Sequence, residues 1–133
     1  MQLENTISQI HGWLGNTSGY YAIIMVVWGL WRYFRKQGID SEYWGALVIE
    51  EGLIALHCLL GVLVYFIGQN WDTQLIHILC GVACALILPI IYVSTKRKKD
   101  RSQLLIYILF NAILALLVWQ AIRTSIPILM INE

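Results

Sequence analysis

The chain has 133 residues, of which 59% are hydrophobic and only 13% are charged, and its mean hydropathy is +0.66. Soluble domains carry about 25% charged residues, so this composition excludes a small water-soluble globule and indicates an integral membrane protein. A net charge of +1 argues against nucleic-acid binding, and three cysteines cannot all pair in a disulfide scaffold.

Four apolar stretches are each long enough to form a membrane helix, which needs roughly 20 residues. In chain order they run over about 7–34, 44–67, 75–93 and 104–122. The connections between them are short, which favours antiparallel packing of consecutive helices. We therefore predict an all-α fold. The predicted fold is an integral membrane four-helix bundle with up-down-up-down topology, in which residues 1–133 form one transmembrane domain.

The basic residues predict the orientation of this bundle. Eight of the nine Lys and Arg residues fall around the connections after the first and third helices: Arg32, Arg35, Lys36, Lys96, Arg97, Lys98, Lys99 and Arg101. Because positive charge accumulates on the cytoplasmic side, both connections are predicted to lie inside. Both termini and the Gly68–Thr73 turn are then outside, and the chain is a multi-pass protein of the inner cell membrane.

Each of the three histidines has a glycine four residues after it. The pairs are His11 with Gly15, His57 with Gly61 and His77 with Gly81. Positions four apart lie one above the other on a helix, so each imidazole has a surface without side chains beside it. A planar macrocycle needs such a surface, and helix bundles hold cofactors between facing helices. The pattern predicts a tetrapyrrole, haem b or bacteriochlorophyll, whose metal takes His11, His57 or His77 as axial ligands. Close packing of membrane helices uses the same spacing of small residues.

The sequence leaves the choice of axial ligands open. At 1.5 Å per residue, His11 lies about 34 Å from the inner end of its helix, His57 about 20 Å and His77 about 24 Å. Similar depth favours His57 with His77, whereas the diagonal position of the first and third helices favours His11 with His77. Alternatively, single histidines each bind one bacteriochlorophyll. Arg123, the only basic residue predicted on the outer side, is either a partner for a carboxylate of the macrocycle or an interface anchor.

Two consecutive acidic residues, Glu50 and Glu51, fall within the second apolar stretch. Glu50 shares a helix face with His57, and chains of acids and histidines carry protons in membrane proteins. If the spanning segment begins near Gly52 instead, both acids lie at the inner boundary. There they would pair with the basic residues that end the first helix, among them Arg32.

The histidines and the glycines beside them make the architecture similar to that of b-type cytochrome bundles. The chain departs from the di-haem pattern, in which two helices carry two histidines each. With so little sequence outside the membrane, we expect a non-enzymatic subunit of a respiratory or photosynthetic complex that serves electron transfer, pigment binding or assembly. The alternatives are a structural accessory subunit without a cofactor and a small proton-coupled transporter that uses Glu50 and Glu51. The expected partners are the lipid bilayer and other membrane subunits or further copies of the chain, and not nucleic acid.

Overall fold

The computed structural model describes residues 2–67, 75–95 and 98–130, apart from the side chains of residue 4 and of residues 125–130. These residues form four α-helices and no strand. The helices are α1 (Gln2–Phe34), α2 (Ser41–Ile67), α3 (Leu75–Ser94) and α4 (Arg101–Met130). The prediction of an all-α, four-helix fold is confirmed. The Gly68–Thr73 turn, Lys96 and Arg97 lie outside the described residues.

The helices begin or end beyond the apolar stretches that predicted them. α1 begins five residues earlier than expected, α2 and α4 begin three residues earlier, and α4 ends eight residues later. Polar residues account for the extra turns at the N-termini. The Asp40 carboxylate accepts a hydrogen bond from the Tyr43 N–H at 2.8 Å and caps α2. In the first turn of α1, the Thr6 hydroxyl donates to the Gln2 carbonyl at 2.9 Å. The predicted N-terminal bounds of α1, α2 and α4 start too late because hydropathy does not detect polar first turns.

Three of the described helices, α2, α3 and α4, are long and apolar enough to cross a membrane. α1 has 33 residues, a length of about 50 Å at 1.5 Å per residue, but none of its segments is comparably apolar. The outer surface of the bundle carries many exposed large apolar side chains. Contiguous exposed apolar surface of this kind is typical of a membrane-contacting face. These features indicate a membrane protein.

The helices form a square in which each packs against its neighbours along the chain, and α4 packs against α1. The diagonal pairs, α1 with α3 and α2 with α4, bring no described Cα atoms within 8 Å of each other. The two basic connections lie together at one end of the square. There the Ile39 N–H donates to the Lys99 carbonyl at 2.8 Å, and Nε of Arg101 donates to the Tyr33 carbonyl at 3.0 Å.

Two helices present buried stripes with the spacing of three or four residues that one helix face requires. On α2 the stripe consists of Tyr43, Leu47, Glu50 and Ile54, and on α3 of Cys80, Cys84, Leu88 and Ile91. The two α3 cysteines are therefore small apolar core residues. Glu50 is the exception, because its position in the α2 stripe places a carboxyl group inside the bundle.

The Arg32 side chain stabilises the connection between α1 and α2. Its Nε and Nη2 atoms donate to the Gly38 carbonyl at 3.1 and 2.8 Å, and Nη1 lies 2.8 Å from the Asp40 carboxylate. The side chain of Arg32 is buried, whereas that of Asp40 is 43% exposed. The hydrogen bond from the Tyr43 N–H, with the neighbouring Arg32 guanidinium, holds the pKa of the Asp40 carboxyl below its usual value. The connection is thus held by charge-assisted hydrogen bonds.

Candidate functional site

The three histidines, which lie on three different helices, come together at one level of the bundle. The imidazoles of His11 on α1 and His57 on α2 are stacked, with ring centroids 3.9 Å apart and planes inclined by 12°. The imidazole of His77 on α3 lies 6.0 Å from that of His11, at an interplanar angle of 65°. All three side chains are half-buried. The bundle therefore places three imidazole rings from three helices in one cluster.

The different depths predicted for these histidines are wrong. The Tyr21 hydroxyl donates to the Ala46 carbonyl at 3.1 Å, which places this part of α1 beside this part of α2. From there His11 is ten residues away and His57 eleven, so each lies about 15–17 Å further along its helix. The prediction took Phe34 and Trp44 as equivalent ends. They are not at one level, because the last turns of α1 extend past the beginning of α2.

His11 and His57 are each hydrogen-bonded to the backbone carbonyl of the other. Nδ1 of His11 lies 2.9 Å from the His57 carbonyl oxygen, and Nδ1 of His57 lies 2.9 Å from the His11 carbonyl oxygen. His77 makes a comparable bond from Nδ1 to the Ala121 carbonyl of α4 at 3.1 Å. A carbonyl oxygen can only accept, so Nδ1 carries the proton in each ring. In the neutral imidazoles Nε2 therefore keeps its lone pair.

Two of the three glycines accommodate the histidine of the opposite helix. A Cβ atom at Gly15 would lie 3.0 Å from Cε1 of His57, and one at Gly61 would lie 2.9 Å from Cε1 of His11. The surfaces predicted to receive a macrocycle at Gly15 and Gly61 are thus covered by imidazoles. At Gly81 a Cβ atom would meet only the Cys58 sulfur, at 3.9 Å. Of these three glycines, Gly81 is the one whose surface is not covered by a histidine.

Arg123 of α4, predicted to assist this site, is close in sequence to a residue that contacts it. Arg123 follows Ala121, whose carbonyl binds His77, by two residues. Its side chain is exposed, and it forms no ion pair with any described residue. The Ala121 carbonyl could not be predicted as a partner of His77, because a backbone acceptor is present at every residue whatever its type.

Glu50 and Glu51, the adjacent acidic residues of α2, form no ion pair with any basic residue that the structure describes. Glu50 is fully buried, and neither of its oxygens has a hydrogen-bond partner; Oε2 of Glu51 is likewise buried and unpartnered. Arg32, one of the predicted partners, binds Asp40 instead. Pairing of the acids with Arg32 at the inner boundary is therefore wrong, and Glu50 belongs to the interior.

Among the described residues, no group of three or more His, Cys, Asp or Glu side chains is placed to hold a bare metal ion. A tetrapyrrole supplies four of its metal's ligands itself, so it needs only one or two side chains. Comparisons with protein-family models, with characterised proteins and with solved structures found no match to this chain. The histidine cluster and the acidic pair are therefore the features of the chain that bear on its function.

Proposed function

We propose that this chain is a small, non-enzymatic membrane protein that holds a tetrapyrrole in its bundle as a subunit of a respiratory or photosynthetic complex. The observation that carries the proposal is the 6.0 Å separation between the imidazole centroids of His11 and His77. Two imidazoles on opposite sides of one metal ion lie about 6 Å apart, because a metal–nitrogen bond is about 2 Å and the nitrogen lies about 1 Å from the centroid. Haem b, whose iron takes two axial imidazoles, suits this spacing better than bacteriochlorophyll, which needs one.

The stacked pair cannot provide the two ligands. The Nε2 lone pair lies in the plane of its ring, and the planes of His11 and His57 are nearly parallel at 3.9 Å. Their lone pairs therefore cannot meet at one metal ion from opposite sides. His11 and His77 lie on diagonal helices, whose backbones are further apart than those of neighbours. The diagonal is the wider direction across a four-helix bundle and is where a planar group fits.

The hydrogen bonds of the cluster suit metal ligation. Histidines that bind metals almost always donate their other ring N–H to a carbonyl or carboxylate, which fixes the tautomer and orients the ring. Nδ1 of His11 and of His77 each donates to a backbone carbonyl of a neighbouring helix. Nε2 of both rings is thereby left as the ligand atom. When bound, haem would supply one-electron chemistry, and the chain would supply ligands and an apolar surrounding.

His57 acts in this proposal as a positioning residue and not as a ligand. It stacks on His11 and receives the Nδ1–H bond of His11 on its carbonyl. The glycine surface available to the macrocycle is then the one at Gly81, where only the Cys58 sulfur is near.

Absorption spectroscopy of the protein, purified from membranes of cells that produce haem, tests the proposal. We expect a Soret band in the wild type and in the His57→Ala variant, and its loss in His11→Ala and His77→Ala. Cys80→Ala is the matched control, since Cys80 is buried on the same helix as His77 but belongs to the core stripe. The absence of any tetrapyrrole band in wild-type protein from haem-replete cells would refute the proposal. A spectrum unchanged in His77→Ala would refute the ligand assignment.

The proposed topology has four spans, with α1 crossing alongside the three more apolar helices. It is supported by the packing of α1 against α2 and α4 and by the position of both basic connections at one end of the bundle. With that end cytoplasmic, both termini lie outside the inner membrane. Reporter fusions at Met130 and at Lys98 test this orientation. A periplasmic reporter should be active only at Met130, and the reverse result would invert the topology.

Proton-coupled transport is a second candidate function, favoured by Glu50. A fully buried carboxyl group without a hydrogen-bond partner is costly, and in membrane proteins such groups mark proton and ion pathways. Proton flux into liposomes that contain the protein should fall severalfold in Glu50→Gln. Equal flux in Glu50→Gln and in the exposed-site control Glu42→Gln would exclude this role.

A further inference from the structure

An apolar groove lies between α2 and α3, in the half of α2 that does not carry His57. Its volume is about 270 Å³. The lining residues are Trp44, Leu47, Val48 and Glu51 of α2 and Leu88, Pro89 and Tyr92 of α3. Almost all of its accessible surface is apolar, and Oε2 of Glu51 is buried. Val48 is 54% exposed, so the groove opens at the outer surface of the bundle and offers contacts to a hydrocarbon chain.

One end of the groove adjoins a small hollow that is bordered by basic residues. The rings of Trp44 and Tyr92 line both, with centroids 5.0 Å apart and planes inclined by 30°. The other residues that line the hollow are Ile39, Lys98, Lys99 and Tyr107. Trp and Tyr rings concentrate at the headgroup level of a bilayer. From Trp44 the groove follows α2 for seven residues to Glu51, about 10 Å, and so leads from that level into the hydrocarbon region.

The charge at this end of the bundle is positive. Residues 32–42 and 98–101, which form it, contain six Lys and Arg side chains and three Asp and Glu side chains. Lys98 and Lys99 are exposed, and neither forms an ion pair with any residue that the structure describes. Basic pockets between membrane helices at the level of the headgroups bind anionic lipids. The hollow is therefore complementary to a phosphate, and the groove beside it to an alkyl chain.

We infer that the groove between α2 and α3 binds one acyl chain of an anionic phospholipid, whose phosphate lies against Lys98 and Lys99. The size of the groove favours a single chain over a membrane helix of a partner protein, because a helix is about 10–12 Å wide. The charge favours an anionic over a zwitterionic lipid, since the positive group of the latter would lie beside two lysines. The inference rests on the protein being a membrane protein but not on haem binding, because the groove and the histidine cluster share no residue.

Quenching of tryptophan fluorescence by brominated acyl chains tests the inference with the full chain in phosphatidylcholine bilayers. The signal of Trp44 is obtained as the difference between each protein and its Trp44→Phe counterpart. Dibrominated phosphatidylglycerol should quench it at a mole fraction several times lower than dibrominated phosphatidylcholine. This preference should fall about fivefold or more in the double variant Lys98→Gln/Lys99→Gln. Arg35→Gln/Lys36→Gln removes the same charge from the same end, outside the groove and the hollow, and should keep the preference.

A variant that fills the groove tests the acyl chain separately from the phosphate. Val48→Phe should reduce the quenching of Trp44 by both lipids, whereas Val62→Phe, at a position of similar exposure on the same helix, should not. Glycerol phosphate, which has no acyl chains, should not relieve the quenching at equal concentration.

Three results would each overturn the inference: equal quenching of the wild type by the two lipids, an equal loss of preference in the two double variants, or undiminished quenching in Val48→Phe. Full relief by glycerol phosphate would do so as well, since the site would then take a free phosphate compound. Should the lysine variant fail to fold, salt at about 1 M, where charges are screened beyond about 3 Å, should abolish the preference in the wild type. A preference unchanged by this salt would also overturn the inference. The haem spectrum is read independently of all these outcomes.

Discussion

Replacing Gly61 by alanine perturbs the histidine stack without altering any histidine. The new Cβ atom would lie 2.9 Å from Cε1 of His11, whereas ordinary contacts begin at 3.4 Å. The ring of His11 therefore has to retreat by about half an ångström, although it is stacked on His57 and hydrogen-bonded through Nδ1. Overpacking of this kind costs about 1–3 kcal/mol.

The same substitution also carries a gain that has to be separated from the cost. Alanine is favoured over glycine within a helix by about 1 kcal/mol. Gly45 provides the matched control, because it lies on the same helix and an added Cβ atom there meets nothing within 4 Å. Gly45→Ala should therefore be as stable as the wild type or more stable, by up to about 1 kcal/mol. Gly61→Ala should be less stable than Gly45→Ala by about 1–3 kcal/mol.

Unfolding in detergent micelles, driven by SDS and followed by circular dichroism, measures both variants against the wild type. Gly15→Ala should resemble Gly61→Ala, since its Cβ atom would lie 3.0 Å from Cε1 of His57. The double variant should be non-additive, because both changes act on one pair of rings. Equal stability of Gly61→Ala and Gly45→Ala would refute the contact between glycine and histidine.

Three further predictions concern the α1–α2 end of the bundle. Arg32→Met should destabilise the protein by about 1–3 kcal/mol in the same assay, since it removes two hydrogen bonds and an ion pair, whereas the exposed Arg35→Met should change stability by less than about 0.5 kcal/mol. The pKa of Asp40 is lowered in the folded state. The ionised carboxylate therefore stabilises the fold at pH values above the unfolded-state pKa of about 3.9, and this stabilisation is lost as the pH falls through the folded-state pKa. Asp40→Asn keeps a capping side chain and should reduce the loss of stability between about pH 5 and pH 3; an identical pH profile in the variant would contradict this. Gly29→Ala places a Cβ atom 2.7 Å from the Tyr43 hydroxyl and should destabilise by about 1–3 kcal/mol; wild-type stability would contradict the packing described.

Hydropathy and helix periodicity sufficed to predict the four helices and their neighbours, because a long apolar run restricts the chain to few alternatives. They did not predict the helix ends, since the Asp40 cap and the first turn of α1 are polar. Nor did they predict that the histidines lie at one level. That depends on how far α1 extends past the start of α2, and the Tyr21–Ala46 hydrogen bond that reports it joins distant positions.

The pattern of histidine and glycine was recognised from the sequence, but not its use within the fold. The spacing along α2 shows that Gly61 lies beside His57. It does not show which side chain of a neighbouring helix contacts Gly61. The imidazole of His11 takes that position.

The contacts of His11 with Gly61 and of His57 with Gly15 also fix the axial register of α1 against α2. Apolar helix surfaces are similar from turn to turn, so in lipid two such helices can slide past each other at little cost. Sliding by one turn in one direction would bring His11 against Val64 and Tyr65, and in the other against Cys58. Each displacement would also leave the Nδ1–H groups of His11 and His57 without their carbonyl acceptors. Two glycines and two histidines thus select one axial alignment at one end of the α1–α2 contact, and the hydrogen bonds from Tyr21 to Ala46 and from Tyr43 to Met25 select the same alignment further along.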